Sequence, residues 1–451
     1  MKNNFPRLII AATQSGSGKT TITAGLLCAL KNRGLNVQPF KVGPDYIDTG
    51  WHSLACSKPS HNLDSVLVGT DNLPKIFTDA ARDADISVIE GVMGLYDGSR
   101  NGGGSTAEIA KLLNAPVILV VDAKSMGASA AAIALGFREF DKSVNLAGVI
   151  LNRLGSDSHA KLIVDALDKL GIKVFGTIRR NDEFKLPERH LGLVPTTENF
   201  SVDVLQKICA AVENQVDVDA LIDVAKNSKP LEKTCPLSLT TCPLTKIAVA
   251  RDAAFNFYYD ASLSVLEQFG AQIVFFSPLD DETLPADIDG LIIGGGFPEM
   301  FASQLEANKK IRTEIFHAAN NGLPIFAECG GFMYLMNRLV DFDGHGFEMC
   351  GVIDGTATMT RKLQRVGYVE AELSADCALG QRGEKFFAHE FHYSTAEVAE
   401  NLFDCKRLRT GENFTAGVSV KNVAASYLHL HFAGCPNVAK NFVETCLKRR
   451  Q

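Results

Sequence analysis

Arg7-Leu8-Ile9-Ile10-Ala11-Ala12-Thr13-Gln14-Ser15-Gly16-Ser17-Gly18-Lys19-Thr20-Thr21 is the stretch whose reading decides the fold. Residues 7–12 have the length and apolar content of a buried parallel strand, and from about Lys19 to Lys31 the pattern turns helical. A Ser/Gly turn joins the two. In such a turn backbone N–H groups wrap around phosphate oxygens, and the helix N-terminus adds its partial positive charge. Ser15, Gly16, Ser17, Gly18, Lys19, Thr20 and Thr21 are therefore the candidate nucleotide-binding residues, with Lys19 reaching the β- and γ-phosphates and the Thr20 hydroxyl binding Mg2+. The full signature has a glycine five positions before Gly18, where this chain has Thr13, so the strand–turn–helix context carries the assignment.

Further apolar, β-rich runs follow at Val37–Val42, Ile86–Glu90, Val117–Val121, Ala147–Leu151 and Ile172–Ile178, most of them separated by helical stretches. That alternation predicts a doubly wound α/β sheet. Strand ends in such a sheet face the ligand crevice. The segment after the second run contains Lys41, Asp45, Tyr46 and Asp48, suited to Mg2+ and an anionic substrate, although Gly43-Pro44-Asp45 is equally a plain turn. An acidic residue directly after an apolar strand is what a phosphate-loop fold sets beside its metal, which makes Glu90 a metal candidate with Thr20 and Asp45, and Asp97 a nearby loop carboxylate. Asn152 and Arg153 close a later strand within reach of a nucleotide, where a surface cap is the competing role for Arg153.

The second half restarts the pattern. Residues 1–198 are expected to form the nucleotide-binding domain, 199–245 a connecting segment and linker, and 246–451 a second α/β domain. The linker expectation rests on Thr234-Cys235-Pro236-Leu237 and Thr241-Cys242-Pro243-Leu244, a Pro- and Thr-rich repeat that suits a connection better than a metal site. In the second domain, Pro324 to Glu328 reads as a strand, followed by Cys329-Gly330-Gly331 as a tight turn into a helix. Such an elbow presents a nucleophile at a helix N-terminus, which favours a thiolate. Gly295 and Gly296, at the end of another strand, are suited with Gly330 to donate N–H groups to an oxyanion. His429 and His431 alternate along an expected strand and so would share a face, one of them serving as the base for Cys329. His389-Glu390-Phe391-His392 is one residue short of the zinc pattern His-Glu-x-x-His and is expected in a substrate- or interface-facing loop.

A chain of 451 residues is too long for one ordinary core, and 46% hydrophobic with 22% charged residues is a soluble globular balance. The net charge of -7 favours neither nucleic acid nor an anionic membrane, so an anionic ligand must be met by local basic groups. The longest strongly apolar run, Ala115–Val121, is too short to span a bilayer. Eleven irregularly spaced cysteines, and Met1-Lys2-Asn3-Asn4 running straight into a strand, lead to the expectation of a cytoplasmic protein with reduced thiols.

With these segments in this order, the chain resembles the amidotransferases of tetrapyrrole side chains, and among them the cobyrinic acid a,c-diamide synthase family of cobalamin biosynthesis. The discriminating segments are Lys41-Val42-Gly43-Pro44-Asp45-Tyr46-Ile47-Asp48 and Glu90-Gly91-Val92-Met93-Gly94-Leu95-Tyr96-Asp97-Gly98. The related cobyric acid synthases have a Gln-Asn-based segment in place of Gly43-Pro44-Asp45. The resemblance covers nearly the whole chain and implies a dethiobiotin-synthetase-like P-loop domain followed by a class I glutamine amidotransferase domain. It implies an ATP-, Mg2+- and glutamine-dependent ligase that amidates the a- and c-acetates of a corrinoid through an acyl phosphate. Nickel sirohydrochlorin and hydrogenobyrinic acid are competing macrocycles, and the oligomeric state stays open, a homodimer among the options. In the wider amidotransferase class a Glu follows two residues after the catalytic His. Here that place is His431, which implies a Cys329–His429 dyad. The P-loop half is also similar to nucleotide-switched partition ATPases, but those lack an appended Cys/His domain.

Overall fold

The computed structural model describes residues 4–99, 103–184, 199–231 and 245–450, which fold into two compact units divided within residues 232–244. In the first, seven strands form one parallel sheet: β1 (Arg7–Ala12), β2 (Val37–Val42), β3 (His61–Leu63), β4 (Ile86–Glu90), β5 (Val117–Asp122), β6 (Leu146–Leu154) and β7 (Val174–Arg179). Their order is β3-β2-β4-β1-β5-β6-β7. The order reverses direction at β1, so the crevice beyond its C-terminal end is open to a ligand. The phosphate loop lies there and leads into helix α1 (Lys19–Asn32). Gly18 begins that helix at φ +93°, and a side chain on it would collide with the Asn152 amide, so the loop conformation requires glycine.

Residues 199–245 contain more than a connection. Helices Asn199–Gln215 and Val218–Lys226 belong to the first unit, and Leu205, Cys209, Val212, Val216 and Leu221 join Ile22, Leu26 and Leu30 of α1 in one apolar core. The spacing of Leu205, Cys209 and Val212 is that of a helix burying one stripe. Gly25 of α1 lets the two helices close up, since a Cβ there would press on Val212 and Ile208. The Cys235 and Cys242 repeat lies outside the described residues.

The second unit is built on a six-stranded sheet in the order Ala271–Phe276, Thr245–Ala250, Gly290–Ile293, Ile325–Glu328, Val423–Ser426 and Val418–Val420, antiparallel only at the last pair. A five-stranded antiparallel sheet runs Asn413–Ala416, Phe403–Arg407, Arg365–Leu373, Lys385–His392 and His429–Leu430. The stretch from Val423 to Leu430 is two strands in different sheets, broken at Tyr427–Leu428. His389 to His392 is also strand, not loop. Because side chains alternate along a strand, His389 and His392 project to opposite faces, which removes the zinc reading. Among the described residues no helix is long and apolar enough to cross a membrane.

Candidate active sites

The phosphate loop opens onto a cavity of about 680 Å3 lined by Gly16, Gly18, Lys19, Thr20, Thr21 and the ends of β6 and β7. Asp45, Asp48, Asn152 and Arg153 also line it, whereas Ser15, Ser17, Lys41, Tyr46, Glu90 and Asp97 do not. Ser15 is exposed on the turn, and the Ser17 hydroxyl donates to the Gln14 carbonyl at 3.0 Å. Asn152 spends its amide on the loop itself, donating to the Ser17 carbonyl at 2.9 Å, so it braces the cradle. Arg153 reaches Asp122 at 2.6 Å. The cavity wall also includes Trp51, Arg179, Arg180 and Asn181, which the sequence reading did not single out.

Behind the loop sits a buried polar network centred on Glu90. The Thr20 hydroxyl donates to Glu90 Oε1 at 2.7 Å, Lys41 Nζ lies 3.0 Å from the same oxygen, and His52 Nε2 is 2.6 Å from Oε2. Lys41 also pairs with Asp48 Oδ2 at 2.7 Å and donates to the Gly91 carbonyl at 3.1 Å. Burial opposes the charge on Glu90, but Lys41 and then His52 outweigh it and hold the carboxyl well below the usual range. Lys41 is likewise buried against its charge, yet Glu90 and Asp48 keep it firmly protonated. Burial pushes Asp48 up to about 6 in spite of Lys41. Lys19, which donates to the Met93 carbonyl at 2.6 Å, is lowered by burial and by the charge of Lys41.

Asp45 Oδ1 accepts the N–H groups of Ile47 and Asp48 at 2.7 and 2.8 Å, fixing the start of helix α2 (Ile47–Cys56). Tyr46 stands at that helix entry, and Asp97 holds its own loop by accepting the Gly94 N–H at 2.9 Å. Among the described residues no three His, Cys, Asp or Glu side chains gather as a metal cage. Thr20 and Asp45 put oxygen donors of the kind Mg2+ takes with phosphate and water on the cavity wall, while Glu90, off that wall, holds the Thr20 hydroxyl and is engaged by Lys41 and His52. The fit is to a cation arriving with a nucleotide.

In the second unit, Cys329 stands between strand Ile325–Glu328 and helix Gly330–Leu335 at φ +47°, a conformation a non-glycine residue adopts only when its surroundings enforce it. Two hydrogen bonds enforce it here: Cys329 N–H to the Ser426 carbonyl at 2.7 Å, and Gly331 N–H to the Gly294 carbonyl at 3.0 Å. A side chain on Gly331 would run into the Ile293 backbone, one on Gly330 into Pro298 and Gly296, and one on Gly295 into His429, with Cys329 in contact beside it. The three glycines thus allow the elbow, the glycine strand end and the imidazole to close on one point.

His429 is buried there. Burial works against its protonation, but contact with the Cys329 sulfur and the Glu328 carboxylate outweighs this and pushes the imidazole up to about 10. Opposite it on the neighbouring strand, His389 is pushed down to about 3 by burial and by the charge of His429. His431 is buried as well. It lies past the strand end and stacks on Tyr259, ring centres 4.6 Å apart, because the strand supplies only His429 and Leu430.

Comparison with known proteins is consistent across both units. Residues 8–194 match the CobQ/CobB/MinD/ParA nucleotide binding domain family, and residues 246–436 match the CobB/CobQ-like glutamine amidotransferase domain family. Over the whole length, the chain is 44% identical to a cobyrinate a,c-diamide synthase of Dehalococcoides mccartyi, covering 98% of each chain. It is 45% identical to a protein of the same name from Caldanaerobacter subterraneus, covering 97% of this chain and 98% of the relative. It is 42% identical to a hydrogenobyrinate a,c-diamide synthase of Streptomyces coelicolor, covering 98% of this chain and 97% of the relative.

Proposed function

The chain belongs to the cobyrinate a,c-diamide synthase family, and on that premise we propose that it converts cobyrinic acid to its a,c-diamide in the cytoplasm, consuming ATP and glutamine. The observation that carries this reading is the presence, in one chain that aligns end to end with the family, of a phosphate cradle in one unit and a Cys329–His429 pair in the other.

In the second unit, Cys329 gives its proton to His429 and attacks the side-chain amide carbon of glutamine. N–H groups around Gly295, Gly296 and Gly330 hold the oxyanion. His429 then protonates the departing ammonia, and water releases glutamate from the thioester.

In the first unit, the loop from Ser15 to Thr21 and Lys19 hold the ATP phosphates. An acetate oxygen of the macrocycle attacks the γ-phosphorus, ADP departs, and ammonia displaces phosphate from the acyl phosphate to leave an amide. Mg2+, held by Thr20, Asp45 and Glu90, would supply positive charge on the transferring phosphoryl group. Asp48 lines the cavity, and Lys41 pairs with it from behind the wall. Their charges largely cancel, so they order the loop and support the intermediate more than they attract the acetate. The a- and c-acetates react in successive rounds.

The test is incubation of the purified chain with ATP, Mg2+ and glutamine and, separately, cobyrinic acid, hydrogenobyrinic acid or nickel sirohydrochlorin, reading product mass. Two amides on cobyrinic acid are expected. Unchanged cobyrinic acid beside doubly amidated nickel sirohydrochlorin or hydrogenobyrinic acid would overturn the choice of macrocycle and leave the two-site mechanism standing.

A further inference from the structure

The amidotransferase class places an acid two residues after its histidine, and this chain has His431 there, stacked on Tyr259 and accepting the Ala433 N–H through Nδ1 at 3.3 Å. A carboxylate reaches His429 from elsewhere. Glu328 is the last residue of strand Ile325–Glu328, directly before the nucleophile, and it is buried. Its Oε1 accepts the backbone N–H of Leu430 at 2.8 Å, which ties it to the two-residue strand that carries His429. Its Oε2 lies 3.7 Å from His429 Nδ1, a separation that a small side-chain rotation closes to a hydrogen bond when the site tightens around substrate.

We propose that Glu328 is the positioning residue of His429, holding Nδ1 protonated and directed at its carboxylate so that Nε2 is left facing the Cys329 sulfur. The proposal rests on the reading of Cys329 and His429 as nucleophile and base. An imidazole buried without an acceptor on Nδ1 can carry its proton on either nitrogen and turn about its side-chain bonds. A fixed carboxylate selects one tautomer and stabilises the imidazolium once the thiol proton has moved to Nε2. The proton taken from the thiol stays on the ring and none passes on to the carboxylate.

His389, opposite His429 on the neighbouring strand, is pushed down to about 3 by burial and by the charge of His429, so it offers the imidazole no counter-charge. The chain position is also economical of motion. Acid and nucleophile are consecutive residues, and both are tied to the strands beside them, Cys329 N–H to the Ser426 carbonyl and the Glu328 carboxylate to Leu430 N–H. A displacement of the elbow therefore moves both partners of the histidine together.

The discriminating experiment compares Glu328→Gln and Glu328→Asp in the full chain, measuring glutamate release against glutamine concentration and pH. Ammonium-driven amidation reports that the chain is folded. Glutamine at 328 can still accept the Leu430 N–H, so a purely structural role predicts wild-type kinetics. Positioning predicts that Glu328→Gln lowers kcat roughly ten- to a hundredfold, with KM little changed, and moves the alkaline limb of the pH profile to lower pH. It also predicts that Glu328→Asp recovers part of both. Wild-type kcat and an unmoved pH profile in a folded Glu328→Gln chain would overturn the proposal. Glutamate release persisting in Cys329→Ala would instead overturn the thiol reading on which it rests.

Discussion

Lys41 and Glu90 are register partners on the adjacent parallel strands β2 and β4, and their side chains form an ion pair of 3.0 Å at the ends facing the phosphate loop. Glu90 is wholly inaccessible to solvent. Removing one member of such a pair leaves the other charged, desolvated and only partly compensated, here by Asp48. Glu90→Gln should therefore destabilise the first unit by about 3 kcal/mol. It should also depress amidation with glutamine and with ammonium alike, and raise the Mg2+ requirement. Thermal melts and Mg2+ titrations check this. Normal turnover with normal Mg2+ dependence would remove Glu90 from the metal set.

Lys19→Ala should abolish amidation with either nitrogen source while glutamate release continues, because the acyl phosphate must form before ammonia has anything to attack. The side chain is buried against the Met93 carbonyl and repelled by Lys41, so its loss costs phosphate binding more than it costs the fold. Phosphate release and amide formation should fall together. Amidation surviving with ammonium would separate Lys19 from phosphoryl transfer.

The pH dependence of glutamate release follows from His429. Its folded value is raised from the ordinary 6.5 to about 10, so its contribution to stability is complete below about 6.5 and is lost as the pH rises through about 10. The departing ammonia needs the proton that this imidazolium carries. kcat/KM for glutamine should therefore hold across neutral pH and fall only as the pH approaches about 10. An alkaline limb centred near 6.5 in the intact chain would contradict the Cys329–His429–Glu328 geometry.

Gly331→Ala should injure the thiol site alone. The added methyl would meet the Ile293 backbone, which belongs to a central strand and cannot yield, so the elbow must open. A cost of about 1–3 kcal/mol and a large loss of glutamate release are expected, with ammonium-driven amidation as the comparison. Unaltered glutaminase activity would show that the elbow has slack.

Much of this was legible along the chain. Arg7–Ala12, Val37–Val42 and Ile86–Glu90 are apolar runs closed by Gly, Ser or acidic residues, and they emerge as β1, β2 and β4 with the same limits. The helix Asn199–Gln215 was missed: Leu205, Cys209 and Val212 carry a helical spacing, but the nearby Pro- and Thr-rich repeat dominates a reading by composition. His52 and Glu328 carry no local signal. One meets Glu90 from a helix packed beside β2, and the other meets His429 only because a two-residue strand returns alongside the elbow. The same limit applies to His431: alternation predicts a face only while the strand lasts, and this one ends at Leu430.

In the proposed reaction, nitrogen freed at Cys329 becomes the amide made at the phosphate site. Glutamine carrying heavy nitrogen in its side-chain amide, supplied with unlabelled ammonium, ATP, Mg2+ and cobyrinic acid, tests it in one mass spectrum. The intact chain should yield a diamide with heavy nitrogen at both positions, and Cys329→Ala a diamide with none. Heavy nitrogen in the Cys329→Ala product, or a folded Cys329→Ala chain that makes no diamide from ammonium, would contradict the account.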